Sequence, residues 1–241
     1  MTVPIAAISL VIWLYCVFFR GGYWRADALG DRPCPQPAAW PHIVAVIPAR
    51  NEQDSIADSV MSLLVQDYPG RFAVILVDDN SEDATASIAA CLPAQTGSKV
   101  PLTIQQGEPL PSGWTGKLWA LQQGIAAANR EQPDLLLLTD ADIVYEPGML
   151  RTLAARAASG RYVLTSLMAK LRCASLAERA FIPAFVYFFQ MLYPFAWVND
   201  PRNRVASAAG GCMLIRADAL ARAGGIAVIR DALIDACSLA A

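Results

Sequence analysis

Histidine is almost missing from this chain: its 241 residues contain one, His42. Histidine is the usual general base near neutral pH and the commonest metal ligand, so chemistry built on it is excluded. His42 itself lies beside Pro41 at the mouth of an apolar run and reads as structural. Charge is also scarce, at 17% Asp, Glu, Lys and Arg, with a net charge of −2. A nucleic-acid binder carries a basic surplus, so nucleic acid is excluded as a partner. The six cysteines (16, 34, 91, 173, 212 and 237) form no C-x-x-C pair. They point to reduced thiols facing a cytosol, not to a zinc site or disulfide framework. No G-x-x-x-x-G-K-[ST] run occurs, which removes the P-loop.

What the chain has in excess is apolar side chains, at 55%. Part of them stand at the front, where MTVPIAAISLVIWLYCVFF, residues 1–19, carries no charged side chain. With Trp13, Tyr15, Tyr23 and Trp24 as interfacial residues, this segment predicts a transmembrane anchor over residues 1–24. A cleaved signal peptide would want a basic start and a small-residue cleavage site, and the segment shows neither. Arg20, Arg25 and Arg32 follow the segment and none precedes it, which places the remainder in the cytoplasm and the protein in the inner (cell) membrane. Residues 25–41 read as a linker, on the strength of the four-proline stretch DRPCPQPAAWPH at 31–42. A second greasy segment, residues 178–197, is rich in aromatics and interrupted by Pro183 and Pro194. It predicts one or two helices at a membrane interface, with a buried helix pair as the alternative.

Between these lies an alternation. Apolar runs of strand length (IVAVIPA at 43–49, FAVILV at 72–77, PLTIQQ at 101–106, LLLLTD at 135–140) alternate with helical patterns at 54–64, 82–92, 117–129 and 147–158. YVLTSLMA and SAAGGCMLIR are further strand candidates, the latter followed by a helix, ADALARAG. Strands that are apolar on both faces and separated by helices predict a mostly parallel sheet with helices on both sides, an α/β fold. Ligands of such sheets bind beyond the carboxyl ends of the strands.

At that edge the acidic residues collect. Glu52 follows the first strand, Asp78 and Asp79 end the second, and Asp140 and Asp142 end the fourth. Each alone is explained by a strand-to-helix turn that uses Asp as a cap. Three strands delivering carboxylates to one edge are not, because unpaired carboxylates repel. A hard divalent cation bridging to phosphate resolves the repulsion. Asp140 and Asp142, two apart, face one side of an extended segment. Of Asp78 and Asp79, one is expected to meet the ligand and the other to brace the loop. In GWTGKLWAL, Gly113 and Gly116 allow close backbone approach. Lys117 opens a helix, where a phosphate-bearing ligand suits it.

VAVIPARNE, ILVDDNSED, GWTGKLWAL, LLLLTDADI and AAGGCMLIRADALARAGG, in this order and spacing, resemble the family 2 glycosyltransferases, and most closely those associated with hopanoid biosynthesis. The resemblance spans about residues 42–241 and implies a GT-A-type, Rossmann-like fold. It implies an inverting transfer from a nucleotide-diphosphate sugar, expected to be UDP-linked, to a lipid acceptor, a hopanoid being the one it suggests. By the same resemblance Pro48, Ala49, Glu52 and Asp79 hold the base and ribose. Asp140 and Asp142 carry Mg2+ or Mn2+ on the diphosphate, Lys117 sits close to the donor, and Gly210 and Gly211 line the sugar and acceptor side.

One stretch departs from the pattern. The family takes its base from an acidic pair, usually Glu-Asp followed two residues later by Leu, whereas IDACSLAA offers Asp235 and then Ala236 at the usual base position. The sequence also ends before the Q-x-x-R-W type motif and the C-terminal membrane helices of the family. The expectation is therefore a C-terminally incomplete glycosyltransferase domain over 42–241. The alternative is a catalytically impaired protein that binds nucleotide sugar without transferring it. A nucleotidyltransferase is disfavoured, because IPARNE is not a Gly-rich phosphate loop.

Overall fold

The structure is a computed structural model describing residues 2–25, 34–160, 162–232 and 235–240. In chain order its elements are α1 (Thr2–Phe19), β1 (Ile43–Ala49), α2 (Ile56–Leu64), β2 (Phe72–Asp78), α3 (Thr85–Thr96), β3 (Leu102–Gln106), α4 (Gly116–Ala128), β4 (Leu135–Thr139), α5 (Met149–Gly160), β5 (Leu164–Ser166), α6 (Leu176–Leu192), α7 (Phe195–Val198), β6 (Cys212–Arg216), α8 (Ala217–Arg222) and α9 (Asp235–Ala240). Internal contacts divide the chain into two units. A smaller one is drawn from residues 1–32 and 170–207, a larger one from 33–169 and 208–240.

The larger unit is built on a six-stranded sheet in the order β3-β2-β1-β4-β6-β5. β1 to β4 run parallel, with β1 between β2 and β4. The sheet is mixed, because β6 runs antiparallel to both β4 and β5. The continuous apolar runs of β1, β2 and β4 follow from burial on both faces. Ile43, Ala45 and Ile47 pack with Val74 and Leu76 of β2 and Leu137 of β4 under α2, α3 and α5, through Val60, Leu92 and Leu153. Their alternates Val44, Val46, Ile75 and Leu138 pack under α4 and α8, through Leu118, Leu121 and Leu220. Each such Val, Leu or Ile side chain, fully buried, contributes roughly 1.5–3 kcal/mol. The geometry that matters for function follows directly, since β1, β2 and β4 end side by side.

The smaller unit contains α1, a 3-10 turn at Tyr23–Arg25, α6 and α7. α6 opens on a capping box: the Ser175 hydroxyl accepts from the Glu178 amide at 3.2 Å, and the Glu178 carboxylate accepts from the Ser175 amide at 2.7 Å. These bonds hold the Glu178 carboxyl below its ordinary value. The helix then continues through Pro183, which the sequence marks as a break, and Pro194 stands instead at the start of α7. The C-terminus of α6 is closed by Arg20, whose guanidinium donates to the Met191 and Leu192 carbonyls. A cation there also complements the helix dipole. Tyr23 hydroxyl lies 3.0 Å from that of Tyr187. That hydrogen bond, with burial, pushes Tyr23 up to about 12.

The expected transmembrane anchor is not what the structure provides. Among the described residues no helix is long and apolar enough to cross a membrane. α1 has 18 residues, or about 27 Å at 1.5 Å per residue, short of the ~30 Å hydrocarbon core. The chain turns at Gly21 and Gly22, both with positive φ, before Tyr23, so Tyr23 and Trp24 do not lengthen the helix. Of the predicted linker, residues 26–33 lie outside the described residues, and 34–41 carry no regular structure.

Candidate active site

At the carboxyl edge of the sheet lies an open cleft of about 380 Å3. Pro48, Ala49, Arg50 and Glu52 line it from the end of β1, Asp79 from the end of β2, Gly116, Lys117 and Ala120 from α4, and Asp140, Ala141 and Asp142 from the end of β4. The volume lies within the range of small-ligand sites. A second groove of about 440 Å3, lined by Leu64, Tyr68, Phe72 and Lys99 among others, holds no carboxylate. It therefore lacks the converging acidic residues that mark the first cleft.

Each wall has a local cause. The backbone turns sharply just after β1 and just after β2, at Asn51 and Asn80, both with φ of 56°. Asparagine is among the few residues that tolerate this left-handed geometry, and such strain gathers at functional sites. The two turns are tied together: the Asn51 amide donates to Ser81 Oγ at 3.0 Å, and the Glu82 amide to Asn51 Oδ1 at 2.8 Å. Asp78 is buried and turned into its own loop, where Oδ1 accepts from the Ser81 amide at 3.2 Å. Asp79 faces the cleft, its amide fixed to the Ala49 carbonyl at 2.8 Å. Arg50 lies 3.7 Å from its Oδ2. Glu52 accepts from Ser55 Oγ at 2.7 Å, and its amide donates to Thr85 Oγ1 at 2.8 Å.

The β4 side is braced from behind. Tyr145 donates to Thr139 Oγ1 at 2.8 Å, Thr139 donates to the Gly211 carbonyl at 2.9 Å, and the Asp140 amide donates to the same carbonyl at 3.3 Å. Burial raises the Tyr145 hydroxyl well above its ordinary value, so it stays a proton donor. In front, Lys117 Nζ meets Asp140 Oδ1 at 2.7 Å. α4 can come this close because residue 116 is glycine: a Cβ there would stand 3.1 Å from Asp79 Oδ2.

The structure thus brings together Pro48, Ala49, Glu52, Asp79, Lys117, Asp140 and Asp142 in one cleft. Gly211 borders it, a Cβ there falling 4.0 Å from Asp140 Oδ2 and 3.0 Å from Ile143 Cδ1, and Gly210 lies in the turn leading into β6. Ala236 is elsewhere in character: it is 4% exposed and packed in the apolar cluster of Leu118, Leu121 and Ile226. Asp235 begins α9, and its side chain lies outside the described residues. Sequence reasoning missed Arg50, the strained Asn51 and Asn80, and the Tyr145–Thr139 brace. Only the asparagines carried a signal, since Asn directly after a buried strand invites a left-handed turn.

Could the site hold a divalent cation? Among the described residues no group of three or more His, Cys, Asp or Glu is placed to do so. Two carboxylates two residues apart do suit the other kind of site, in which Mg2+ or Mn2+ takes one or two protein carboxylates and completes its shell with phosphate oxygens and water. The hard oxygen donors of Asp140 and Asp142 fit that group.

Comparison with known proteins agrees with this architecture. The family model described as Glycosyl transferase family 2 matches residues 44–224. An N-acetylglucosaminyltransferase of Mesorhizobium japonicum is 30% identical over 163 residues, covering 64% of this chain and 34% of that protein. One of Rhizobium leguminosarum bv. viciae is 28% identical over 158 residues, covering 64% and 35%. The chain therefore spans about a third of the length of these curated relatives. Among solved structures, the mannosyltransferase PcManGT of Pyrobaculum calidifontis, in complex with GDP-Man and Mn2+, superposes with a TM-score of 0.61 at 20% identity, over 91% of this chain and 57% of that one. S. aureus TarS 1–349 in complex with UDP gives 0.51 at 17% identity, over 80% and 52%. At such identities the likeness is one of fold.

Proposed function

This chain belongs to glycosyl transferase family 2, and on that premise we propose that its cleft binds a nucleotide-diphosphate sugar and serves transfer of the sugar to an acceptor hydroxyl. The observation that carries the reading is the meeting of Glu52, Asp79, Asp140, Asp142 and Lys117 at the ends of three adjacent strands and one helix start. Asp79 and Glu52 are suited to accept hydrogen bonds from a uracil N–H and ribose hydroxyls, and Pro48 and Ala49 to flank the base. Asp140 and Asp142 face the diphosphate, with Lys117 as the positive charge on the same side. A bound Mg2+ or Mn2+ would supply further positive charge against the leaving diphosphate. The GDP-Man and Mn2+ held by PcManGT, and the UDP held by TarS, support this class of donor.

In the inverting transfer we propose, the acceptor oxygen forms its bond to the anomeric carbon as the bond from that carbon to the diphosphate oxygen breaks, and the hydroxyl proton leaves to a base. Oriented charge facing the diphosphate is the largest contribution such a cleft makes.

The acceptor we propose is a lipid alcohol, a hopanoid among the candidates, met at a membrane surface. Phe181, Phe185, Phe188 and Leu192 form an exposed stripe along α6. The described residues of the smaller unit carry seven Arg and Lys against two carboxylates, Glu178 and Asp200, although the whole chain is at −2. Apolar and basic surface together suit an anionic bilayer. The test is incubation of the chain with labelled UDP-sugars, starting with N-acetylglucosamine, and a bacterial lipid extract. Label is expected in the lipid phase; label recovered only in water-soluble products would overturn the lipid acceptor.

A second reading is binding without transfer. It is favoured by Ala236, which supplies no carboxylate and is enclosed by apolar neighbours.

A further inference from the structure

Lys117 stands where helix physics disfavours it. It is the second residue of α4, whose first turn holds no acidic residue, and the N-cap Thr115 makes no side-chain capping bond. A cation at this end opposes the positive pole of the helix dipole. A local rule broken at a cleft points to a role there. Its compensation is the pair it makes, Nζ to Asp140 Oδ1 at 2.7 Å. Asp140 is held from behind by its own amide bond to the Gly211 carbonyl, shared with Thr139. That bond fixes the Asp140 backbone at the end of β4, and the longer lysine arm is the more flexible partner of the pair.

We propose that Lys117 is a resident counter-ion for Asp140. With the cleft empty of donor it occupies a carboxylate oxygen that a divalent cation would otherwise take, and it passes to the diphosphate when cation and donor arrive together. This rests on the donor-site reading above and goes beyond it by assigning Lys117 a coupling role. A cation arriving alone must displace the ammonium and leave it beside a second positive charge. A cation arriving with a diphosphate brings the ammonium a new anion. Cation and donor therefore bind cooperatively, through Lys117.

The magnitude is bounded by exposure. The two side chains are 40% and 34% exposed, and pairs at such sites are worth little in water. Freed of the lysine, Asp140 also loses a neighbouring like charge to the incoming cation. An increase of about three- to tenfold in cation affinity is what these effects allow together.

The experiment measures free Mn2+ by electron paramagnetic resonance in titrations of the unmutated chain, Lys117→Met and Lys117→Arg, each with and without UDP. Lys117→Met is expected to bind Mn2+ alone three- to tenfold more tightly than the unmutated chain. Lys117→Arg, which keeps the charge, is expected to stay near the unmutated value. UDP is expected to tighten Mn2+ strongly in the unmutated chain and weakly in Lys117→Met. Equal or weaker Mn2+ binding by Lys117→Met overturns the proposal, as does equal tightening by Lys117→Arg. In an Asp140→Asn background the Lys-to-Met difference is expected to vanish, and its persistence would overturn the pairing. Absence of Mn2+ binding in every protein, with and without UDP, would overturn the donor-site reading and this inference with it.

Discussion

Replacing Gly124 by alanine should separate what α4 needs as a helix from what it needs as a wall of the cleft. Gly124 is in the buried interior of α4. A Cβ built there clashes with Val46 Cγ1 and stands 3.0 Å from Val77 Cγ2. Val46 and Val77 are fully buried in the middle of the sheet and have no solvent to move into. Overpacking of this kind costs about 1–3 kcal/mol, while Ala in place of Gly returns up to ~1 kcal/mol of helix propensity. Strain wins, leaving a net loss of about 1–2 kcal/mol. For a chain of this size that is roughly 2–8 °C in Tm. If the helix relieves the strain by lifting from the sheet, Gly116 and Lys117 move with it, and nucleotide affinity falls as well. Calorimetry and UDP titration on the same protein read both effects. A Gly124→Ala chain as stable as the original would refute the close approach of α4 to β1 and β2.

Three further outcomes follow from single contacts. Gly116→Ala places a methyl group 3.1 Å from Asp79 Oδ2; stability should change by less than ~1 kcal/mol while UDP affinity falls about fivefold, and unchanged affinity would show that Asp79 does not meet the ligand. Ala236→Asp puts a carboxylate into an apolar cluster, so a loss of about 3–5 kcal/mol in urea unfolding is expected, and a fully stable variant would place residue 236 at the surface. Tyr23 is raised to about 12 by its bond to Tyr187 and by burial, and Tyr145 is raised further by burial. The folded chain holds these protons more tightly than the unfolded chain, so stability is complete below pH 10 and declines as pH rises from 10 through 12; Tyr23→Phe should flatten that decline, and an unchanged slope would count against the Tyr23–Tyr187 bond.

Much of the larger unit was legible because its strands are buried on both faces. The runs at 43–49, 72–77 and 135–140 have no polar interruption, and their ends carry the acidic residues, so strand and site came together. The last two strands were harder to read. β5 has three residues, and β6 starts only at Cys212, after five residues of the predicted strand that lie in loop and turn. β5, at the sheet edge, has too few alternations to fix a register, and the glycines before Cys212 obscure where β6 begins. Pro183 misled because a proline argues for a break, while the capping box at Ser175 and the Arg20 closure, far apart in sequence, hold α6 on either side of it. The apolar front predicted a spanning helix by composition, but the turn at Gly21 limits its reach. In the cleft, carboxylates declared themselves by position after a strand. Arg50, and Tyr145 bonded to Thr139, act through side-chain geometry that sequence spacing does not reveal. The burial of Ala236 likewise depends on how α9 packs.

The most direct test of the central claim is calorimetric titration of UDP into the chain with and without Mn2+, repeated with Asp142→Ala. The account predicts UDP binding that Mn2+ strengthens at least tenfold, weakened in Asp142→Ala and there indifferent to the metal. UDP binding of equal strength with and without Mn2+ in the unmutated chain would contradict it.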